Sequence, residues 1–326
     1  MSGIALLLPG QGSQYVGMGH DLANSYPEVR KLYERADDEL GFSLSKLSWE
    51  GPENDLRSTE NAQPAILVHS FAVWSLLKEA PVSVIVGAGH SLGELSTHLI
   101  AGSFSFETAL RVVRRRGTLM AASGAKRPGG MAAVLGLEAD AVEELCCEIN
   151  SREDPKTGLV VTANLNGPGQ VVVSGDVAAV EFAKTKAEEW GAKRFIPLNV
   201  SGAFHSPLMH DMAEKFSIVL DESEILEPRF PVISNATVES VSEAINIRRQ
   251  LVSQLTSPVR WTEVVEKMGR FRPTTWLELG PGNTLSGLAR RIEKGLRPTS
   301  IGDSDGVESF LKALGDGNRM EGEVDE

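Results

Sequence analysis

The stretch that most limits the fold is "PVSVIVGAGHSLGELSTHLIAG", Pro81 to Gly102. Its opening, Pro81 to Gly87, is short, β-branched and bounded by Pro and Gly, the pattern of a buried strand. From Leu92 onward it carries apolar residues at helical spacing and closes on Gly102, the pattern of a helix with a glycine stop. Ser91 therefore falls at a strand-to-helix turn, flanked by Gly89 and Gly93. A G-x-S-x-G sequence in that setting is a nucleophile elbow, in which two glycines permit a tight turn and push the serine hydroxyl into the open. The start of the helix adds backbone N–H groups and the positive end of a dipole, both suited to an oxyanion.

The N-terminal half repeats this rhythm. "IALLL" reads as a strand, followed by the glycine-rich turn "PGQGSQYVGMG". "NAQPAILVHSFAVWSLLKEA" reads as a helix before the Ser91 strand, and "SFETALRVVRRRGTLMAAS" as a helix after it, capped by Ser105. Alternating strands and helices predict an α/β core with a mostly parallel sheet. From Gly129 the order changes to strand "GMAAVLGL", helix "EADAVEELCCEIN", strands "LVVTANLN" and "QVVVSG" around "GPG", helix "DVAAVEFAKTKAEEWG" and strand "KRFIPLNV". That βαββαβ order is the ferredoxin-like unit. An α/β pattern resumes afterwards with "PVISN", "TTWLELGPG" and "TLSGLARRIEKG", so the unit reads as an insertion. The expected division is a discontinuous large subdomain over 1–128 and 201–300, and a small ferredoxin-like subdomain over 129–200. An acidic, partly disordered tail over 301–326 completes it.

Charge and cysteine usage narrow the partners. The 326-residue chain carries a formal charge of −12, and six of those charges fall between Gly302 and Glu326. An acidic chain argues against general nucleic-acid binding. No stretch approaches the ~18 apolar residues of a membrane span, and the N-terminus lacks the basic region of a secretory signal. The only cysteines, Cys146 and Cys147, are adjacent on an expected helix. They read as packing residues in a reducing, cytoplasmic compartment. No metal motif is present.

The turn "PGQGSQYVGMG" does not match a phosphate loop. Tyr15 stands where G-x-G-x-x-G needs its third glycine, and no Gly-Lys-Ser/Thr follows. Nucleotide binding is thereby disfavoured; a structural turn is the favoured reading, with a backbone N–H donor site as the other. A serine nucleophile needs a base. His90 precedes Ser91 and should point away from it, while His69 and His98 lie on apolar helices as packing residues. His205, in "NVSGAFHSPLM", follows a strand where the insertion rejoins the core. Pro207 limits helix formation there, so His205 belongs to a loop beside the main sheet, either as a satisfied loop histidine or as the base. No acid to orient it can be singled out; a hidden carboxylate or a backbone carbonyl would serve.

Arg116 stands out on the helix of "RVVRRRG". At 100° per residue, Ala109, Val112, Val113, Leu119 and Met120 lie within about 60° of it, with Arg111 and Arg114 on the far side and Arg115 at the border. A guanidinium on the apolar face needs an anionic partner, either an internal carboxylate or a bound one. An arginine fork suits a carboxylate bidentately.

Taken in order and spacing, "PGQGSQYVGMG", "GHSLGE", the Arg-Gly of "RRRG", "ANLNGPGQVVVSG", "GAFHSPLM", "QLTSPVRW" and "ELGPGNTLSGLARRI" resemble the malonyl-CoA:acyl carrier protein transacylase family over roughly residues 3 to 297. Arg116 lies 25 residues after Ser91, as the family pattern requires. The resemblance implies a hydrolase-like α/β core with the ferredoxin-like insert, and an active site in the cleft between them. It implies Ser91 as nucleophile, His205 as general base, and the backbone N–H groups of Gln11 and Leu92 as oxyanion hole. Arg116 would clamp the free carboxylate of malonyl. Gln254 would orient His205 through its backbone carbonyl, and Asn164 and Gln63 match pocket-lining positions.

The implied reaction is malonyl transfer from coenzyme A to the phosphopantetheine thiol of an acyl carrier protein through an acyl-serine, in fatty-acid or polyketide synthesis. Malonyl-CoA and the carrier protein are the expected partners, and no cofactor is expected. Similarity to polyketide acyltransferases further implies that Phe204 fills the space of an α-methyl group, with Leu92 rather than Gln after the serine in agreement. Two departures touch the neighbourhood of the pocket: Leu95 stands where many relatives carry an aromatic, and the first strand lacks a phenylalanine before "PGQG". The basic helix "GLARRIEKGLR" and an exposed Arg114 could meet an acidic carrier protein, or be solvated faces. Alternatives are a trans-acting polyketide synthase acyltransferase with a different extender unit and an acyl-thioester hydrolase, whose kind is expected to lack the pocket arginine. A noncatalytic carrier-protein docking module is a further alternative, against which the Ser91–His205 pair argues.

Overall fold

The computed structural model describes residues 3–80, 82–151, 158–200 and 202–322. The chain opens with β1 (Gly3–Leu8), then α1 (His20–Ser25), α2 (Pro27–Leu40), α3 (Leu44–Glu50), α4 (Glu53–Arg57) and α5 (Thr59–Leu77). β2 (Ser83–Gly89), α6 (Leu92–Ala101) and α7 (Phe106–Lys126) follow. Next come β3 (Gly129–Leu135), α8 (Ala139–Asn150), β4 (Val160–Gly167), β5 (Gln170–Asp176), α9 (Val177–Glu189) and β6 (Arg194–Pro197). After a 3₁₀ turn at Pro207–Met209 the chain forms α10 (His210–Asp221), β7 (Val232–Ile233), β8 (Ser240–Val241), α11 (Ala244–Ser253) and α12 (Trp261–Gly269). It ends in β9 (Thr275–Leu279), α13 (Thr284–Ile292), β10 (Thr299–Ile301) and α14 (Ser304–Gly322).

Two sheets organise these elements. The larger has the order β10-β9-β1-β2-β7-β8, parallel throughout except for the β7–β8 pair. Its strands are apolar because helices cover both faces: β1 alternates Leu6 and Leu8 into one core with Ala5 and Leu7 into the other. The smaller sheet, order β4-β5-β3-β6, is antiparallel. Successive strand residues point to opposite faces, so Ala132, Val134, Val171 and Val173 pack under α8 and α9. Met131, Ala133 and Val172 face the cleft between the sheets. The α/β class with a mostly parallel sheet and a βαββαβ unit is as expected.

Local chemistry explains several boundaries. The Ser105 hydroxyl accepts from Thr108 N at 3.1 Å and caps α7, as its sequence predicted. Pro64 lies inside α5 and has no N–H for the Glu60 carbonyl four residues back. Arg114 supplies the missing donor, reaching Glu60 O at 2.6 Å and Asn61 Oδ1 at 2.7 Å while stacking over Phe42. Arg114 is therefore a half-buried structural residue and not the free surface cation expected.

Other readings need correction. Pro207 opens the 3₁₀ turn ahead of α10, where its missing N–H is harmless, so it starts helical structure just after His205 instead of preventing it. Cys146 packs in the small core, but Cys147 is exposed. The segment from 301, expected as a partly disordered acidic tail, begins as the last residue of β10 and continues as α14. Val307 is buried, and Phe310 and Leu311 pack against the core. Acidic composition concealed that i, i+3, i+4 stripe. Residues 323–326 of the expected tail lie outside the described residues.

Candidate active site

The site forms at the carboxyl ends of β1 and β2, the usual position for ligands in a parallel sheet. Leu8 pairs with Gly89, and the chain beyond each strand turns into the same cleft. The elbow is packed to the limit: a Cβ on Gly89 would meet Gly93 backbone at 2.0 Å, and one on Gly93 would meet Leu8 O at 2.0 Å. Ser91 itself sits at φ 52° and ψ −103°, a strained backbone of the kind concentrated at functional sites. His90 N donates to Leu8 O at 3.0 Å, and Ser91 N donates to Asn235 Oδ1 at 2.7 Å, which hold the turn in place.

Ser91 Oγ lies 2.8 Å from His205 Nε2. His205 Nδ1 lies 2.8 Å from the Gln254 carbonyl oxygen. A carbonyl only accepts, so Nδ1 carries the proton and Nε2 is left as the acceptor for the serine hydroxyl. Burial, with the Arg116 charge nearby, pushes His205 down to about 3, so the ring is neutral across the physiological range. His205 also holds a positive φ of 57°. The orienting group left open between a hidden acid and a carbonyl is thus a carbonyl.

Arg116 is 1% exposed and packs on the apolar face of α7. Nη1 donates to Gln63 Oε1 at 2.8 Å, and Nη2 donates to Gln254 Oε1 at 2.8 Å and to Ser91 Oγ at 3.1 Å. Burial lowers its pKa only to about 10, so it remains a cation. Among the described residues no salt bridge joins it to a carboxylate; the internal ion pair that the sequence left open is absent, and amide oxygens hold the guanidinium instead.

The cleft measures about 290 Å³. Gln11, Leu92, Asn164 and Phe204 line it together with Ser91, His205 and Arg116. Gln254 supplies the backbone carbonyl to His205 as expected, with its side chain behind Arg116. Gln63, expected to line the pocket, also stands behind Arg116 and does not line the cleft, closed off by Met120, to whose sulfur it donates at 3.2 Å. Leu95, the first departure noted in the sequence, is buried in the main core away from the lining. His90 turns its ring from Ser91 to Asn166 Oδ1 at 2.8 Å. His69 and His98 are buried packing residues with one hydrogen bond each, to Gly302 O and Ser103 Oγ. Among the described residues no group of three or more metal-binding side chains occurs, and no helix is long and apolar enough to cross a membrane.

Two residues of the site escaped the sequence reading. Asn235 bridges the elbow, accepting from Ser91 N and donating Nδ2 to Gly89 O at 2.8 Å. Glu94 is wholly buried beneath Ser91, and its Oε2 accepts from Asn235 N at 3.0 Å and from Gln254 Nε2 at 2.8 Å. Burial pushes the Glu94 carboxyl up to about 7, against its hydrogen bonds and the Arg116 charge. Glu94 is the one carboxylate in the largely apolar helix "LGELSTHLIA", the kind of signal that marks Arg116.

The acyl transferase domain family matches residues 6–307. The malonyl CoA-acyl carrier protein transacylase of Bacillus subtilis (strain 168) is 42% identical over 318 residues, 98% of this chain and 99% of the relative. That of Haemophilus influenzae is 42% identical over 95% of this chain and all of its own length. Among solved structures, a complex of a type II polyketide synthase acyl-carrier protein with its malonyl-transacylase superposes with a TM-score of 0.91 at 39% identity, covering 96% of this chain and 100% of the other. An acyl carrier protein S-malonyltransferase from Vibrio cholerae superposes at 0.89 with 38% identity, covering 94% of this chain and 99% of the other.

Proposed function

The chain belongs to the acyl transferase family, and we propose that it moves a malonyl group from coenzyme A to the phosphopantetheine thiol of an acyl carrier protein through an ester on Ser91. One observation carries this reading: a single serine oxygen at a strained elbow touches both a neutral imidazole, at 2.8 Å, and a buried guanidinium, at 3.1 Å. The first is what a nucleophile needs; the second is what a substrate with a free carboxylate needs.

In the first half-reaction His205 Nε2 takes the Ser91 proton as Oγ attacks the thioester carbonyl. The carbonyl oxygen becomes an oxyanion held by the N–H groups of Gln11 and Leu92, the latter unpaired because it opens α6. The tetrahedral intermediate collapses, the C–S bond breaks, and His205 returns the proton to the coenzyme A sulfur. In the second half-reaction the carrier-protein thiol gives its proton to His205 and attacks the ester; the C–O bond to Ser91 breaks and His205 returns the proton to Oγ, so the kinetics are ping-pong. Three of the five Arg116 N–H donors have partners within the described residues, one of them the Ser91 hydroxyl at the cleft, and it is this serine-facing donor that the malonate carboxylate would take once Ser91 is acylated. Phe204, against the same cleft, fills the space an α-methyl would need, a discrimination of ~1–3 kcal/mol.

Both fatty-acid and polyketide synthesis consume this product. A cytoplasmic location, expected from the cysteine usage, belongs to the same proposal, and no cofactor enters any step. The test is the acyl preference of Arg116→Ala. Its kcat/KM for malonyl-CoA should fall by about 10²-fold or more, while transfer of an uncharged acetyl group holds or rises. Unchanged malonyl selectivity would remove the clamp from the proposal.

A further inference from the structure

We propose that Glu94 is a positioning residue of this reaction: it fixes which way round the Gln254 side-chain amide sits, and so keeps Arg116 aimed at the acyl carboxylate. The inference rests on the transfer reading above.

A primary amide has nearly the same shape in both orientations, so its neighbours decide which end is oxygen. Gln254 Nε2 donates to Ser91 O at 3.0 Å and to Glu94 Oε2 at 2.8 Å, and Oε1 accepts from Arg116 Nη2 at 2.8 Å. Ser91 O can only accept, and Glu94 Oε2 already accepts from Asn235 N, a role it keeps even when Oε1 carries a proton. Together they draw the NH₂ end toward Glu94 and leave the carbonyl end for the guanidinium. Turned over, the amide would set NH₂ against guanidinium N–H and its oxygen against both the Ser91 carbonyl and the Glu94 carboxyl, losing all three contacts among buried groups.

Glu94 is itself fixed. The same Oε2 accepts from Asn235 N at 3.0 Å, and Asn235 holds Ser91 N and Gly89 O. Its other oxygen, Oε1, is buried without a hydrogen-bond partner, so the whole side chain works through one atom. The spacing has a second consequence. Gln254 stands between Glu94 and Arg116, and no direct salt bridge closes them. A direct pair would have spent on an internal carboxylate the donors that a substrate carboxylate requires.

The orientation acts on the ground and transition states of acylation alike and concerns only charged acyl groups. It should therefore appear in kcat/KM for malonyl-CoA and not in that for acetyl-CoA. Glu94→Met removes the acceptor at similar volume. Its malonyl kcat/KM should fall about tenfold or more beyond any loss in acetyl transfer, which reports the Asn235 contact alone. Glu94→Gln can set its amide oxygen where Oε2 was and should recover malonyl transfer to within about threefold. Gln254→Met, which removes the Arg116 contact outright, should lose at least as much malonyl transfer as Glu94→Met, and the double variant should be no worse than Gln254→Met alone, because Glu94 acts on Arg116 through Gln254. If Glu94→Met does not fold, Glu94→Asp, which withdraws the carboxylate by one methylene, should show the same selective loss.

Malonyl and acetyl transfer falling together, a Glu94→Gln as impaired as Glu94→Met, or additive losses in the double variant would each overturn the positioning role while leaving the transfer reading intact. A wild-type protein that transfers no malonyl at all would overturn both.

Discussion

The two walls of the cleft are built differently. The wall carried by the six-stranded sheet presents Ser91, His205 and Arg116, each held by named hydrogen bonds, with Glu94, Gln254 and Asn235 behind them. The wall carried by the four-stranded sheet presents Met131, Ala133 and Val172, with Asn164 and Asn166 as its polar members. One wall is a closed polar network in which every group depends on the next; the other is an apolar surface whose residues act by volume. Chemistry gathers at the ends of the parallel strands, where a strand-to-helix turn frees backbone N–H groups. The antiparallel insert shapes and shields the space in front of them.

That contrast sets the ranking of substitutions. Ser91→Ala should lower malonyl transfer by about 10⁴-fold or more, and His205→Ala by about 10³- to 10⁴-fold, both read from initial rates with a carrier protein as acceptor. On the opposite wall, Met131→Ala or Val172→Ala should lower kcat/KM by less than about tenfold and admit bulkier acyl groups, read with a panel of acyl-CoAs. The Val172 change should also reduce unfolding free energy by about 1–2 kcal/mol in denaturant titrations. A wall residue as damaging as His205 would break the distinction.

The smallest expected effect is in pH. A histidine with its usual pKa would lose half its base form near 6.5, but His205 is pushed down to about 3. The base form therefore persists as pH falls, and protonation would begin only on approach to that lower value. Glu94, pushed up to about 7, titrates in the same region, so the clean comparison is made in Glu94→Gln. There, kcat/KM for a malonyl thioester should change less than about twofold between pH 7 and 5.5. An acid limb centred near 6.5 would show that His205 is not held as described. The linked stability has the same sign: with its folded pKa depressed, His205 disfavours the folded state progressively as pH drops below 6.5.

The parts of the molecule legible in the sequence are those where one physical constraint dominates. The elbow was legible because only glycine tolerates the 2.0 Å approaches at Gly89 and Gly93. The insert was legible because turn residues separate strands and helices cleanly from Gly129 to Pro197. Arg116 was legible because a charge on an apolar helical face needs an explanation. Glu94 meets the same criterion less sharply, because Ser96, Thr97 and His98 share its helix and blur the apolar face.

What could not be read depends on contacts distant in sequence. Gln254 reaches Ser91 and Arg116 across 163 and 138 residues, and Asn235 reaches the elbow across 144. Arg114 is satisfied by a carbonyl freed by Pro64, a pairing that neither segment announces alone. The helix from Ser304 was hidden by its acidic composition, although Val307, Phe310 and Leu311 already had the spacing of a packed face.

The most direct measurement is the mass of the intact protein and of its Ser91 peptide, taken milliseconds after mixing with malonyl-CoA and quenching. The account expects a single malonyl group on Ser91, absent in Ser91→Ala and discharged when a phosphopantetheinylated carrier protein is added. No adduct in the rapidly quenched wild type, or an adduct carried on exposed Cys147 instead, would contradict it.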